Sequence, residues 1–354
     1  MGSLVAPLGA DENIPERIQK LYAEAESSST IEQQNRVLEK IERLREGKLS
    51  TDLDAYLTKL EAWLLHQRGE AFAKRAAEAN RSGDLEAGRE LDTKAMEDFD
   101  AAIKLAPKRW KSYHHRGVCY ALLGEYKRAL SDFSQTITLR PEYANAWFNR
   151  GEIQYQLGQF SKAIADYTEA IERQPQDAGY YSSRGHTYFE LRESKKALRD
   201  YNQAVSLGPE NSEFIADRGE AFCSVGQWDK AADDFRRAIS LDSSFGRAYQ
   251  GAAWLMATCP DPQFRNSDLA IRSAEKAIEL DGDSDYIYLD TLAAALANGG
   301  QFKRAQAVLR QSIEAAPSEH VAPLKRRLRR YQARQPYRQS VESIARSPDH
   351  PTTQ

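Results

Sequence analysis

Residues 147–175 read WFNRGEIQYQLGQFSKAIADYTEAIERQP, and residues 181–209 read YSSRGHTYFELRESKKALRDYNQAVSLGP. Laid over one another 34 positions apart, the two stretches share Arg-Gly near the start, Ala-x-x-Asp-Tyr in the middle, then Ala and a closing Pro. The pattern continues in both directions. Gly117, Gly151, Gly185 and Gly219 are each 34 residues apart, every one after an arginine (Arg116, Arg150, Arg184, Arg218), and Arg68-Gly69 begins an earlier copy. Ala95, Ala129, Ala163, Ala197 and Ala231 form a second comb at the same spacing. Four residues after each stands an aromatic: Phe99, Phe133, Tyr167, Tyr201 and Phe235. Pro107, Pro141, Pro175 and Pro209 close four of the copies. Combs in register at one period mean that a single supersecondary unit is repeated.

The chemistry of those positions predicts the unit. Small residues such as Gly151 and Ala163 let two helices cross closely, with the Tyr167 ring filling the space beside them. Gly158 ends the first helix because glycine reaches positive φ cheaply. Pro175 ends the second, because its ring and missing N–H disfavour continuation. A hairpin of this kind leaves an apolar face that only stacking on a neighbour can bury. The copies at the ends are irregular. The first, Leu65 to Pro107, carries 14 extra residues between Gly69 and Ala95, so both its helices should be longer. The sixth has Ala253 in place of the glycine and five inserted residues around TCPDPQFRNSD, and the seventh uses Tyr288, Gly300, Ala305, Leu309 and Pro317.

These residues resemble the tetratricopeptide-repeat (TPR) family, whose 34-residue pattern runs bulky residue, Gly, Tyr, turn Gly, Ala, aromatic, Ala, Pro. One unit here reads Trp147, Gly151, Gly158, Ala163, Tyr167, Ala170, Pro175. Its predecessor reads Tyr113, Gly117, Tyr120, Gly124, Ala129, Phe133, Pro141, with Thr136 in place of an alanine. The stretch from Trp254 to Phe302, with WLMATCPD and YLDTLAAALANGG, looks like the C-terminal part of a group of bacterial tetratricopeptide proteins. The resemblance implies an all-α fold: a right-handed α-solenoid of about seven helical hairpins. An N-terminal helical hairpin and a C-terminal capping helix flank it. The expected boundaries are 1–12 for a disordered or truncated signal remnant, 13–50 for the N-terminal hairpin and 51–317 for the repeat array. Residues 318–339 make a basic capping helix and 340–354 a disordered tail. Asn13-x-x-Glu16 and Ser29-x-x-Glu32 read as the two helix starts of the N-terminal hairpin.

Bulk composition narrows the function. The net charge of −3 gives no general attraction for polyanions, and 41% hydrophobic with 29% charged residues suits helices. No apolar run approaches the ~20 residues of a membrane span. Cys119, Cys223 and Cys259 are too scattered for a disulfide framework or a zinc site and are expected as buried free thiols. The six histidines show no HExxH and no other recognisable ligand pair, so no metal, cofactor or catalytic residue is expected. MGSLVAPLGA at the start lacks a charged region, and reads either as a disordered end or as the tail of a truncated export signal. Localisation is accordingly cytoplasmic as written, or exported if such a signal precedes it.

Three sets of polar residues invite functional readings. Each Arg-Gly arginine has an aspartate three residues after the comb alanine (Asp98, Asp132, Asp166, Asp200, Asp234), which points to a structural Arg–Asp ladder between paired helices rather than to phosphate binding. KRRLRRYQARQPYR, Lys325 to Arg338, holds seven basic residues. It suits a solvated cap with Leu324 and Leu328 facing inward, or else a nucleic-acid or membrane-surface adaptor. By resemblance, residues lining the concave groove lie six and three before the glycine and one, four and five after it. They are Trp63, His66, Glu70, Lys111, His114, Asn145, Phe148, Glu152, Tyr155, Ser182, His186, Phe189, Glu190, Glu213, Glu220, Arg247 and Trp254. A subclass that grips C-terminal carboxylates uses a Lys-Asn-Asn-Lys-Arg set, and His66, Glu70, His115, Asn145 and Asn149 at those places do not reproduce it. An enzyme, such as the repeat part of a glycosyltransferase, has no catalytic domain left once the repeats are counted. The expected function is a non-catalytic scaffold, monomeric, holding a protein or peptide partner as an extended segment or a helix in the groove.

Overall fold

The computed structural model describes residues 15–282 and 285–339. Among these the structure is all-α: seventeen helices, one 3-10 turn at Pro262–Phe264 and no strand. The expectations for residues 1–12 and 340–354, and for Asn13 as a helix cap, fall outside the described residues. The chain forms two compact units, the first ending at Ile153 and the second beginning at Gln154.

The first unit holds α1 (Glu16–Ser27), α2 (Ile31–Arg45), α3 (Thr51–Arg81), α4 (Leu85–Leu105), α5 (Trp110–Leu122), α6 (Tyr126–Leu139) and most of α7 (Ala144–Gln156). The cap of α2 is one residue further on than Ser29-x-x-Glu32 suggested. Thr30 Oγ1 accepts the Gln33 N–H at 3.2 Å and Gln33 Oε1 accepts the Thr30 N–H at 3.1 Å, a reciprocal capping box. Ile18, Leu21 and Ala25 of α1 meet Val37 and Ile41 of α2, and this apolar face continues onto Leu57, Leu60 and Leu64 of α3. The helices of the first repeat are longer than those that follow, 31 residues in α3 and 21 in α4; the insertion between Gly69 and Ala95 supplies part of this, and the start of α3 at Thr51, well before Leu65, the rest.

The second unit holds the end of α7, then α8 (Phe160–Arg173), α9 (Ala178–Glu190), α10 (Ser194–Leu207), α11 (Ser212–Ser224), α12 (Trp228–Leu241), α13 (Gly246–Thr258), α14 (Ser267–Asp281), α15 (Tyr286–Asn298), α16 (Phe302–Ala315) and α17 (Ser318–Gln332). Its far end is closed by α17, whose Leu324 and Tyr331 bury against Leu296 of α15 and Leu309 of α16.

The combs now have physical partners. A Cβ placed on Gly185 would stand 2.9 Å from the Tyr201 ring, and one on Gly117 2.9 Å from Phe133, so only a bare backbone lets these rings seat. The ladder is present in both units as paired hydrogen bonds. Arg116 Nε and Nη2 donate to Asp132 at 2.8 and 2.7 Å, Arg184 to Asp200 at 2.8 and 2.9 Å, and Arg218 to Asp234 at 2.8 and 2.7 Å. Arg68 holds Asp98 in the same way across the longer first hairpin. Each arginine also uses Nη1 on the preceding hairpin: Arg116 on Asp100 at 2.6 Å, Arg150 on Ser134 at 3.0 Å, Arg184 on Thr168 at 3.0 Å. One guanidinium therefore ties its own hairpin together and staples it to the one before. At the turn between paired helices Gly124, Gly158, Gly226 and Gly300 have φ of 70–75°, and the equivalent residue of the fourth full repeat is Arg192 at φ 61°. A non-glycine residue there carries left-handed backbone strain.

Candidate functional site

In the second unit, the first helices of successive hairpins are α9, α11, α13 and α15, and their free faces enclose a cavity of about 440 Å³. Its walls are Phe189 of α9, Glu220 of α11, Arg247, Gln250 and Trp254 of α13, and Tyr286 and Asp290 of α15. His320 and Arg327 of α17 and Tyr337 beyond it complete the lining. Helical register explains the set. The inward side of each first helix is taken by small residues under the packing rings, which turns larger side chains one and four positions on towards the opening.

The polar groups at this cavity are linked. Asp217, 4% exposed, receives His186 Nε2 at 2.9 Å and also pairs with Arg247. Burial works to lower the His186 imidazole, but the hydrogen bond and charge of Asp217 outweigh it and raise its pKa. Burial, partly offset by the charge of Arg247, raises the Glu220 carboxyl beside them. Arg247 lines the cavity, yet its buried Nε has no hydrogen-bond acceptor. On the far wall Arg327 makes a two-point bond to Asp290 at 2.7 and 3.0 Å and lies over the Trp254 and Tyr337 rings. The segment after α17 is held there too. The Gln339 N–H donates to the Thr258 carbonyl at 2.9 Å, and Arg338 donates to Asn298 at 2.8 Å and to the Ala257 carbonyl at 3.1 Å. Arg327 and Arg338 of the C-terminal basic run are thus engaged within the fold.

Of the residues expected to line a groove, Phe189, Glu220, Arg247 and Trp254 come together at this cavity. His186 stands one contact away through Asp217, Glu213 is exposed on α11, and Glu190 is half-buried at the end of α9. Ser182 is buried within its hairpin. On α7, Asn145 is exposed and Phe148, Glu152 and Tyr155 are half-buried, the Tyr155 ring tilted against Phe160 at 5.5 Å. In the first unit Trp63 packs on the edge of the N-terminal cluster, and the Lys111 ammonium lies 5.7 Å from the Trp110 ring centre. His66 and His114 are buried, for a local reason: Ser112 Oγ holds His66 Nδ1 at 3.1 Å, and Phe133 and Tyr143 enclose the His114 ring. Glu70 is half-buried and reaches His115 Nε2 at 2.9 Å. Sequence reasoning missed Asp290, which stands three residues before Ala293, the seventh repeat's counterpart of the glycine, and which the same register would have found; Tyr286, one position outside that register, was missed too. It also missed Arg327 and Tyr337, which arrive from outside the repeats and carry no periodic signal.

Comparison with known proteins fits this geometry. Tetratricopeptide repeat models match residues 144–177 and 183–253, and a further TPR repeat model matches 119–158. No curated protein sequence matches the chain. Among solved structures, a tetratricopeptide repeat protein from Parabacteroides merdae aligns at 15% identity and TM-score 0.54, over 75% of this chain and 98% of its own. pilF of Pseudomonas aeruginosa aligns at 12% identity and TM-score 0.50, over 60% and 91%. MamA from Desulfovibrio magneticus aligns at 20% identity and TM-score 0.43, over 50% and 96%. With three repeat models matched along its centre, and the period, turn glycines and ring-on-glycine packing all in place, the chain carries tetratricopeptide repeats.

Proposed function

We propose that the protein is a non-catalytic scaffold that holds a peptide or helix from a protein partner against the first helices of its repeats. The repeat is in general a protein-interaction module, and no described helix is long and apolar enough to cross a membrane. What carries the reading is the cavity in the second unit. At about 440 Å³ it is of ligand-holding size, with aromatic walls (Phe189, Trp254, Tyr286) and a few polar groups. Arg247 Nε adds an argument from energy: a buried donor without an acceptor costs ~1–3 kcal/mol, which a carbonyl or carboxylate from a bound segment would relieve. Within the first unit, Trp63, Lys111, Asn145, Phe148 and Glu152 are proposed as partner contacts of their own, and Tyr155 is one more in the second unit.

The test is selection of peptides on the folded chain, followed by titration calorimetry with the Phe189→Ala and Arg247→Gln variants. Binding should weaken at least ~tenfold in each, as expected for an aromatic anchor and a desolvated charge. Peptides that bind both variants as tightly as the parent, with melting curves unchanged, would refute the groove assignment.

A further inference from the structure

The first unit contains a cluster that protein binding does not use. His66 and Glu70 are four residues apart on α3, so they share one helix face, and α5 brings His115 to the same place. Glu70 Oε1 lies 2.9 Å from His115 Nε2 and 3.5 Å from His66 Nε2, and the three donor atoms all lie within 4.8 Å of one another. The His66 ring is completely buried, with its Nε2 facing the cluster and no hydrogen-bond partner. We propose that His66, Glu70 and His115 bind a divalent transition-metal cation of the zinc class through two imidazole nitrogens and one carboxylate oxygen.

Several features built into the fold support this. A tetrahedral zinc-class ion with bonds of about 2.1 Å needs donors about 3.4 Å apart, which the two measured separations bracket. Ser112 Oγ lies 3.1 Å from His66 Nδ1; with the cation bound at Nε2, Nδ1 carries the proton and donates it to this hydroxyl, the arrangement that orients metal-bound histidines. Burial acts to raise the Glu70 carboxyl, but the neighbouring histidines, above all His115 at 2.9 Å, outweigh it and hold its pKa down. Gln67 Nε2 donates to its other oxygen at 2.6 Å, leaving Oε1 for the cation. The neighbouring groups are His114, which burial keeps neutral, and the Arg109 guanidinium, whose charge is felt at both His66 and Glu70. That one positive charge limits affinity without removing the donor set. With Glu70 and His115 half-buried, the remaining coordination positions face solvent and take water.

The experiment is titration of tag-free full-length protein with Co²⁺, read by its visible absorption, and with Zn²⁺ by calorimetry, at pH 7.5. One equivalent should bind, with the absorption intensity of a four- or five-coordinate site. Glu70→Gln and His115→Ala should each weaken binding at least ~tenfold, and Ser112→Ala by ~10–100-fold through loss of orientation. All three should keep the parent's helical circular dichroism, since none adds bulk. Failure of the parent to bind either cation saturably below ~100 μM would overturn the proposal, as would unchanged affinity in Glu70→Gln and His115→Ala. Neither result bears on the peptide groove of the second unit, which shares no residue with this cluster.

Discussion

The Arg184–Asp200 pair offers the sharpest test of how the repeats cohere. Asp200 is 6% exposed and accepts two hydrogen bonds from Arg184, whose third nitrogen reaches back to Thr168 on the preceding hairpin. Burial acts against the guanidinium charge, yet Asp200 more than compensates and the Arg184 pKa is raised. Breaking a buried pair from one side costs ~3–5 kcal/mol, because a charge is left without its counter-charge. The two halves are not equivalent. In Asp200→Ala the Arg184 side chain, 17% exposed, keeps Thr168 and can turn towards water, so a loss near ~3 kcal/mol is expected. In Arg184→Ala the buried Asp200 carboxylate keeps neither donor, and the inter-hairpin bond is lost with the arginine, so the loss should approach ~5 kcal/mol. The double variant should cost clearly less than the sum, with a coupling of ~2–3 kcal/mol, at the upper end for residues in direct contact. Urea unfolding of the four proteins gives the cycle. Hydrogen exchange of the α9 and α10 amides localises it, since a repeat array need not unfold as one unit. Coupling below ~0.5 kcal/mol would show that the ladder does not hold the hairpins together.

The buried His66 makes the first unit acid-sensitive. Its folded pKa of about 4 lies below the unfolded value near 6.5, so stability is fully present above pH 6.5 and is lost as pH falls towards 4. The His66 share of that loss should reach about 3 kcal/mol, and urea midpoints of His66→Gln should fall less steeply over that window than those of the parent, the equally buried His114 supplying the slope that remains. Arg192→Gly should raise stability by up to ~1 kcal/mol, because glycine removes the strain of φ 61° at the turn; a lower melting temperature would contradict this. Cys119, Cys223 and Cys259 are buried free thiols, with burial pushing the Cys119 thiol up to about 12. Melting temperatures with and without reductant should therefore agree. Truncation before Ser318 uncovers Leu296 and Leu309, and exchange protection of α15 and α16 should fall first; unchanged protection would remove α17 from its capping role.

Much of the fold was legible because the repeat states each packing contact several times. Gly185 and Tyr201, or Arg218 and Asp234, recur at one offset in successive copies, so their proximity could be inferred without coordinates. The staple from each arginine to the preceding hairpin was equally periodic, at Asp100, Ser134, Thr168 and Asn202, but four different residue types hid the comb. A reader looking for hydrogen-bond acceptors rather than identities would have found it. Where the pattern stops, so does the inference. The cap of α2 moved by one residue because Thr30 and Gln33 bond reciprocally, a local competition that Ser29-x-x-Glu32 spacing could not resolve.

The sequence by itself determined the all-α repeat and the Arg–Asp ladder, since these depend on contacts within one 34-residue period. Only the tertiary structure decided which polar groups meet across periods. His66 and Glu70 showed no recognisable ligand spacing because their third partner, His115, lies 45 residues beyond Glu70 and reaches it through the packing of α5 beside the elongated α3. The burial that strips His66 Nε2 of a partner is likewise a property of assembled helices, not of any segment.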